Sequence, residues 1–227
     1  MEKFIPQDYA DFLARYKMDV PANFNFAFDV VDRIAETEPD RPAMVHIDET
    51  GKRRDFNMRF FSEESLKVAA GLAASGLRRG DRVMLVLFRR VEFWTVMLAL
   101  QRLGAVAIPT PGMLTAKDVE YRFTAAEIVA VIAEHTVAET IDAAQACYPA
   151  IKLRVGVDGV SPRAGWIGYK DIVQKGAAQA TRVMRQAGGN DPLVIYFSSG
   201  TTGNPKMIEH DHTYPLAHFV TAAYWHD

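Results

Sequence analysis

The stretch "YFSSGTTGNPKMIEH", Tyr196 to His210, concentrates groups that could do chemistry. Ser198, Ser199, Gly200, Thr201, Thr202, Gly203, Pro205 and Lys206 crowd together directly after an apolar run. Successive small residues after a strand let backbone N–H groups turn inward and form a concave anion site. Gly200 and Gly203 permit the positive φ angles and close backbone approach that such a site needs. Ser198, Ser199, Thr201 and Thr202 add hydroxyl donors. Lys206 brings a point charge on a long stem, suited to the outer phosphates of a nucleotide. Pro205 stiffens the exit of the loop. The Walker loop is not matched: Asn204 and Pro205 separate Gly203 from Lys206, and Met207 stands where a magnesium-binding hydroxyl should be. A phosphate site here needs another geometry, and a plain surface turn would share the composition.

The elements that must carry this loop follow from periodicity. "FAFDVVDRIAETEPD" places Phe26, Val30, Val31 and Ile34 at helical spacing, and "PAMVHIDETGKRRDFN" reads as a hairpin. "SEESLKVAAGLAASGLRRG" predicts a helix with Ser62 and Ser65 as candidate N-caps, acidic first-turn charge from Glu63 and Glu64, and Gly80 as its stop. Buried strands "RVMLVLF", "AVAIP", "IVAVIAE" and "IKLRVGV" then alternate with helices. One of these ends at Gly104, and another is capped by Thr115 with Asp118 in its first turn. "YKDIVQKGAAQATRVM" predicts a further helix, and "LVIYFSS" the strand that leads into the loop. Short apolar strands joined by helices predict an α/β fold: a mostly parallel sheet with helices on both faces. "RQAGGNDP" reads as a linker, which divides the chain into 1–189 and 190–227. "YPLAHFVTAAYWHD" reads as a helix broken off, the sign of a chain cut from something longer.

Composition narrows the classes. Hydrophobic residues make up 49% and charged residues 24%, ordinary for a globular chain. A net charge of −2 gives no reason to expect nucleic acid. The apolar runs are too short to span a bilayer, and the first residues are neither a signal peptide nor a presequence, so a cytoplasmic protein is expected. The single Cys147 excludes an internal disulfide and a cysteine-based metal site; its helical setting among alanines predicts a buried thiol.

"SSGTTGNPK" resembles, at every defining position, the [ST]-[ST]-G-[ST]-T-G-x-P-K signature of the adenylate-forming enzymes: acyl-CoA synthetases, peptide-synthetase adenylation domains and luciferases. "NFAFDVVDRIA", "GLRRGDRVMLVLFRRVEFWTVMLALQRLGAVAIP", "LTAKDVEYRF" and "KMIEH" resemble the medium-chain branch of the AMP-forming acyl-CoA synthetases. The resemblance implies that a carboxylate attacks the α-phosphate of ATP and that a thiol then displaces AMP. It implies ATP, Mg2+ and coenzyme A, with Ser198, Ser199, Gly200, Thr201, Thr202, Gly203 and Lys206 on the β- and γ-phosphates. The acid is expected to be medium-chain, short branched or an aryl acid of the benzoate type. The family's adenine and ribose segments and its C-terminal lysine domain are not found, so the chain is expected to be the N-terminal part of a synthetase, inactive by itself, with no catalytic residue of its own. Two rival readings share these features: an adenylating enzyme that loads a carrier protein, and a short non-catalytic nucleotide-binding or interaction protein.

Other residues carry weaker signals. His210, His212, His218 and His226 fall late, and "HDH" could place two metal ligands on one strand face. Nothing else gathers ligands, so no metal site is assigned. His210 is a candidate wall of the acyl and adenylate pocket. Arg89 and Arg90 read as the start of a helix with Phe93, Trp94, Met97 and Leu98 on its apolar face. A truncated sheet leaves apolar surface open, so a homo-oligomer is also expected.

Overall fold

The computed structural model describes residues 5–157, 163–199 and 203–222. Helix α1 (Tyr9–Arg15) starts at Asp8, whose carboxylate accepts from the Asp11 N–H. A π-helical stretch, Ala27–Asp32, runs directly into α2 (Arg33–Thr37). Strands β1 (Pro42–Ile47) and β2 (Arg53–Asn57) form the expected hairpin, an antiparallel sheet of their own. The "KRRD" side of it is exposed.

Helix α3 (Met58–Ala74) follows β2 without a loop. Its cap is Asn57, which accepts from the Phe60 N–H at 2.9 Å, and not Ser62 or Ser65. Ser65 is buried inside the helix, where its hydroxyl donates to the Ser62 carbonyl and accepts from Arg102. Glu63 and Glu64 therefore lie beyond the first turn. The helix also stops before Gly80: Ser75 closes it, and Gly76 takes φ +103°.

From β3 (Arg82–Val86) the alternation runs as expected through α4 (Val91–Leu103), β4 (Val106–Pro109), α5 (Ala116–Ala125), β5 (Ala130–Ala133), α6 (Ala138–Gln145) and β6 (Leu153–Gly156). Gly104 ends α4 at φ +65°, the left-handed conformation that favours glycine. Thr115 and Asp118 form a reciprocal capping box at the start of α5. Because α6 ends at Gln145, Cys147 lies in the following turn and is exposed, against the expected buried thiol. A short strand β7 (Ile167–Gly168) leads into α7 (Tyr169–Ala177). The expected long helix ends there, and only a single 3₁₀ turn, Ala180–Arg182, follows. Strand β8 (Pro192–Ser198), β9 (Lys206–Asp211) and α8 (Tyr214–Thr221) complete the described elements.

Seven strands make the main sheet in the order β7-β6-β5-β3-β4-β8-β9, parallel throughout except for the β8–β9 hairpin. Period-two alternation divides each strand between two cores. Val83 and Leu85 join Val68 and Leu72 of α3, Val96 and Leu100 of α4 and Ile172 of α7 on one face. Met84 and Val86 join Val119 and Phe123 of α5 and Ile141 of α6 on the other. Helices thus cover both faces, the doubly apolar pattern that the sequence carries. The turn around Gly189 falls between the 3₁₀ turn and β8, and β8 pairs with β4, so the chain on both sides of residue 189 shares one sheet.

Candidate active site

Strand β8 runs parallel to β4, so Ser198 stands at the same sheet edge as the carboxyl ends of β3, β4 and β5. Ligands of open α/β sheets bind at that edge. The chain then turns and returns antiparallel as β9, with Ser198 opposite Lys206. The Ser198 hydroxyl donates to the Lys206 carbonyl at 3.4 Å, a weak tie across the mouth of the hairpin. Gly203 has φ +102° and open space around its α-carbon, so the left-handed conformation expected of the loop is present there. Ser199, Gly203 and Lys206 are exposed and Ser198 is half-buried. The structure brings Ser198, Ser199, Gly203 and Lys206 to one end of one hairpin. Gly200, Thr201 and Thr202 lie outside the described residues.

His210 is not beside the loop. It pairs with Val194, four residues along β9 from Lys206, about 13 Å at ordinary strand rise. Its ring stacks on Tyr214 at 4.0 Å between centroids, and Tyr196 and His218 complete the aromatic group. Tyr196, Tyr214 and His218 line an apolar groove of about 550 Å³ with Trp94, Met97 and Leu98 of α4. The expected apolar stripe of α4 is therefore split: Leu98 is buried, whereas Trp94 is 53% exposed in the groove. Among the described residues, no group of three His, Cys, Asp or Glu side chains could hold a metal ion.

A second concavity was not legible in the sequence. Between β3 and β5 the chain changes direction across the sheet, since β4 lies on one side of β3 and β5 on the other. Above this switch opens a polar cleft of about 1170 Å³ lined by residues that include His46, Phe88, Arg89, Arg90, Gly112 and Glu134. The buried Glu134 carboxylate accepts from the Phe88 N–H at 2.8 Å and pairs with Arg90 at 2.7 Å. That contact holds the Arg90 guanidinium above its usual pKa. Arg90 is thus more than a helix start: it joins the loops that follow two neighbouring strands. The topological rule could have located this cleft, but only with the strand order known.

Residues 31–227 match the family model described as AMP-binding enzyme. This chain belongs to the AMP-binding enzymes. Acyl-coenzyme A synthetase ACSM5, mitochondrial, of Homo sapiens is 36% identical over 213 residues, which cover 91% of this chain and 36% of that protein. Among solved structures, acetoacetyl-CoA synthetase from Streptomyces lividans superposes with a TM-score of 0.79 at 26% identity, covering 88% of this chain and 32% of that one. The anthranilate CoA ligase AuaEII, solved in complex with anthranoyl-AMP, shares the fold at a TM-score of 0.76 and 24% identity. The chain spans about a third of the length of these relatives. No helix among the described residues is long and apolar enough to cross a membrane.

Proposed function

We propose that this chain is the N-terminal part of an ATP-dependent, AMP-forming acyl-CoA synthetase, and that Ser198, Ser199, Gly200, Thr201, Thr202, Gly203 and Lys206 hold the pyrophosphate end of ATP. The observation that carries the reading is the hairpin mouth. Hydroxyls, a left-handed glycine and one lysine meet at the carboxyl edge of a parallel sheet, in a family whose relatives here are CoA synthetases and ligases by name.

The chemistry asked of the loop is electrostatic. A carboxylate oxygen attacks the α-phosphorus, the bond from that phosphorus to the bridging oxygen breaks, and pyrophosphate leaves with the electron pair. Donors already in place where that charge develops lower the barrier without reorganisation. In the second step the sulfur of coenzyme A attacks the acyl carbon and AMP departs. Magnesium is expected to arrive with ATP. The described residues supply no cluster of ligands for it, and no step here runs through it.

The proposed acid is medium-chain, short branched or aryl. The proposed organisation is 1–189 as a first subdomain with 190–227 opening a second, inactive as this chain alone and self-associating through its open apolar groove. His210 keeps a proposed place in the pocket wall through its stack on Tyr214. A cytoplasmic location is proposed for the protein, whereas the human relative is mitochondrial by name.

The test is carboxylate-dependent exchange of pyrophosphate into ATP, assayed on the whole gene product with a panel of acids and then with coenzyme A as acceptor. Exchange followed by thioester formation supports the reading. Exchange with transfer only to a carrier protein makes it an adenylating enzyme of the other kind. Nucleotide binding with no exchange for any acid overturns catalysis.

A further inference from the structure

One side chain of α5 touches both legs of the phosphate loop. The Tyr121 ring meets Phe197 edge-on, with centroids 6.2 Å apart and planes at 70°. The Tyr121 hydroxyl donates to the Pro205 carbonyl at 2.9 Å. Phe197 is the residue before Ser198 on β8, and Pro205 immediately precedes Lys206 at the start of β9. The entry and the exit of the loop are therefore both tied to the same residue. The neighbouring Arg122 adds to the entry side, its guanidinium 5.1 Å from the centre of the Phe197 ring. Arg122 is 7% exposed, donates from Nη1 to the Asp118 carbonyl at 2.9 Å, and has no hydrogen-bond partner at Nε among the described residues. Helix α5 is itself a firm support: the Thr115–Asp118 capping box fixes its first turn, and Val119 and Phe123 are buried against the sheet.

We propose that Tyr121 is a positioning residue for the phosphate loop, anchoring the mouth of the β8–β9 hairpin to α5 so that Lys206 and the flanking hydroxyls meet the pyrophosphate end of ATP in a fixed place. The proposal rests on the reading of this loop as a phosphate site. Electrostatic stabilisation of a leaving group depends on donors that do not have to move, so a tether shared by both legs acts on the rate of adenylate formation. Tyr121 touches neither carboxylate nor thiol in this scheme, and its effect stops at the first half-reaction.

The experiment compares Y121F and Y121L with the unaltered full-length gene product. Phenylalanine keeps the ring against Phe197 and removes only the tether to Pro205, while leucine removes both. By hydrogen exchange, the peptide spanning 197–207 exchanges about fivefold faster in Y121F, the ratio expected for one neutral hydrogen bond, and faster still in Y121L. Peptides from β3 and β5 do not change. In catalysis, Y121F lowers kcat for ATP–pyrophosphate exchange by a similar factor, and thioester formation from supplied acyl-adenylate keeps its rate. Unchanged exchange in the 197–207 peptide overturns the positioning role, whether or not the protein is active. Equal slowing of both half-reactions also overturns it, because general damage to the fold would do that. An unaltered protein without pyrophosphate exchange sinks the proposed function alone, and the hydrogen-exchange comparison then still decides whether Tyr121 holds the loop.

Discussion

Arg102 and Asp32 form a bidentate ion pair inside the protein, with Nη1 to Oδ2 at 2.7 Å and Nη2 to Oδ1 at 2.6 Å. The arginine side chain is fully buried and that of the aspartate is 19% exposed. The guanidinium also donates to Ser65 at 3.1 Å and lies 4.9 Å from the centre of the Phe28 ring. One pair thereby joins the π-helical stretch, α3 and α4. Removing the carboxylate leaves a buried cation without its partner, and D32A is expected to cost about 3 kcal/mol. The double variant R102M/D32L removes both charges and should recover most of that loss. Urea midpoints of the three proteins measure it; a D32A midpoint equal to the parent's would show that the pair does not hold these elements together.

The crossing of α3 and α7 sets a second expectation. A methyl group on Gly71 would collide with the Ile172 carbonyl, and one on Gly176 with the Lys67 carbonyl. Alanine ordinarily favours a helix over glycine by about 1 kcal/mol. Here backbone meets backbone, so neither helix can yield by turning a side chain. G71A and G176A are each expected to destabilise by roughly 1–3 kcal/mol despite the gain in propensity. Thermal melts read the sign directly, and a raised Tm for either variant contradicts the close crossing.

His212 makes stability depend on pH. It is buried at 1% exposure, and neither ring nitrogen has a hydrogen-bond partner among the described residues. Burial pushes its pKa below the usual value, Asp191 and Asp211 oppose that shift, and Arg185 adds to it. Above the unfolded pKa of about 6.5 the ring is neutral in both states and adds nothing to the pH dependence. As pH falls below that value the unfolded chain binds a proton that the folded one refuses, so stability is lost until the depressed folded pKa is reached. The carboxylate of Asp191 is held low by its contact with the Gly188 N–H, which outweighs burial, with Arg79 helping; its own contribution disappears at lower pH, through and below the ordinary aspartate range. H212F should therefore flatten the stability curve below about pH 6.5 and leave the steeper acid limb of the carboxylates in place. Parallel curves for the two proteins over that window would contradict a buried neutral ring.

What the sequence made legible was local. Thr115 with Asp118, and Gly104 after an apolar run, announce their helix ends because a cap is a matter of neighbouring residues. Val83 to Val86 announce a strand buried on two faces by an unbroken apolar run. The loop residues Ser198, Ser199, Gly203 and Lys206 could be named because their spacing is particular, and the hairpin brings them together. Asn57 was missed because β2 passes into α3 with no turn residues to mark the border. The cleft at Arg90 and Glu134 was missed for a different reason: those residues lie 44 positions apart, and only the strand order makes them neighbours. Tyr121 and Pro205, 84 positions apart, escaped in the same way.

Lys206 gives the most direct trial of the loop's chemistry. It opens β9 opposite Ser198, is exposed, and is the cationic residue of the signature stretch. If its ammonium group meets charge that develops as pyrophosphate leaves, K206A in the whole gene product should lower kcat/KM for ATP in the exchange reaction by about 10²–10³-fold. Folding stability should stay within about 0.5 kcal/mol, because an exposed strand-end side chain supports little packing. K206R keeps the charge but replaces a compact ammonium by a planar fork, so it should recover only part of the rate. Supplied acyl-adenylate should still be converted to the thioester by K206A, since no pyrophosphate forms in that step. A raised KM for ATP with kcat intact would assign Lys206 to uniform binding of ATP and not to the charge on the departing pyrophosphate.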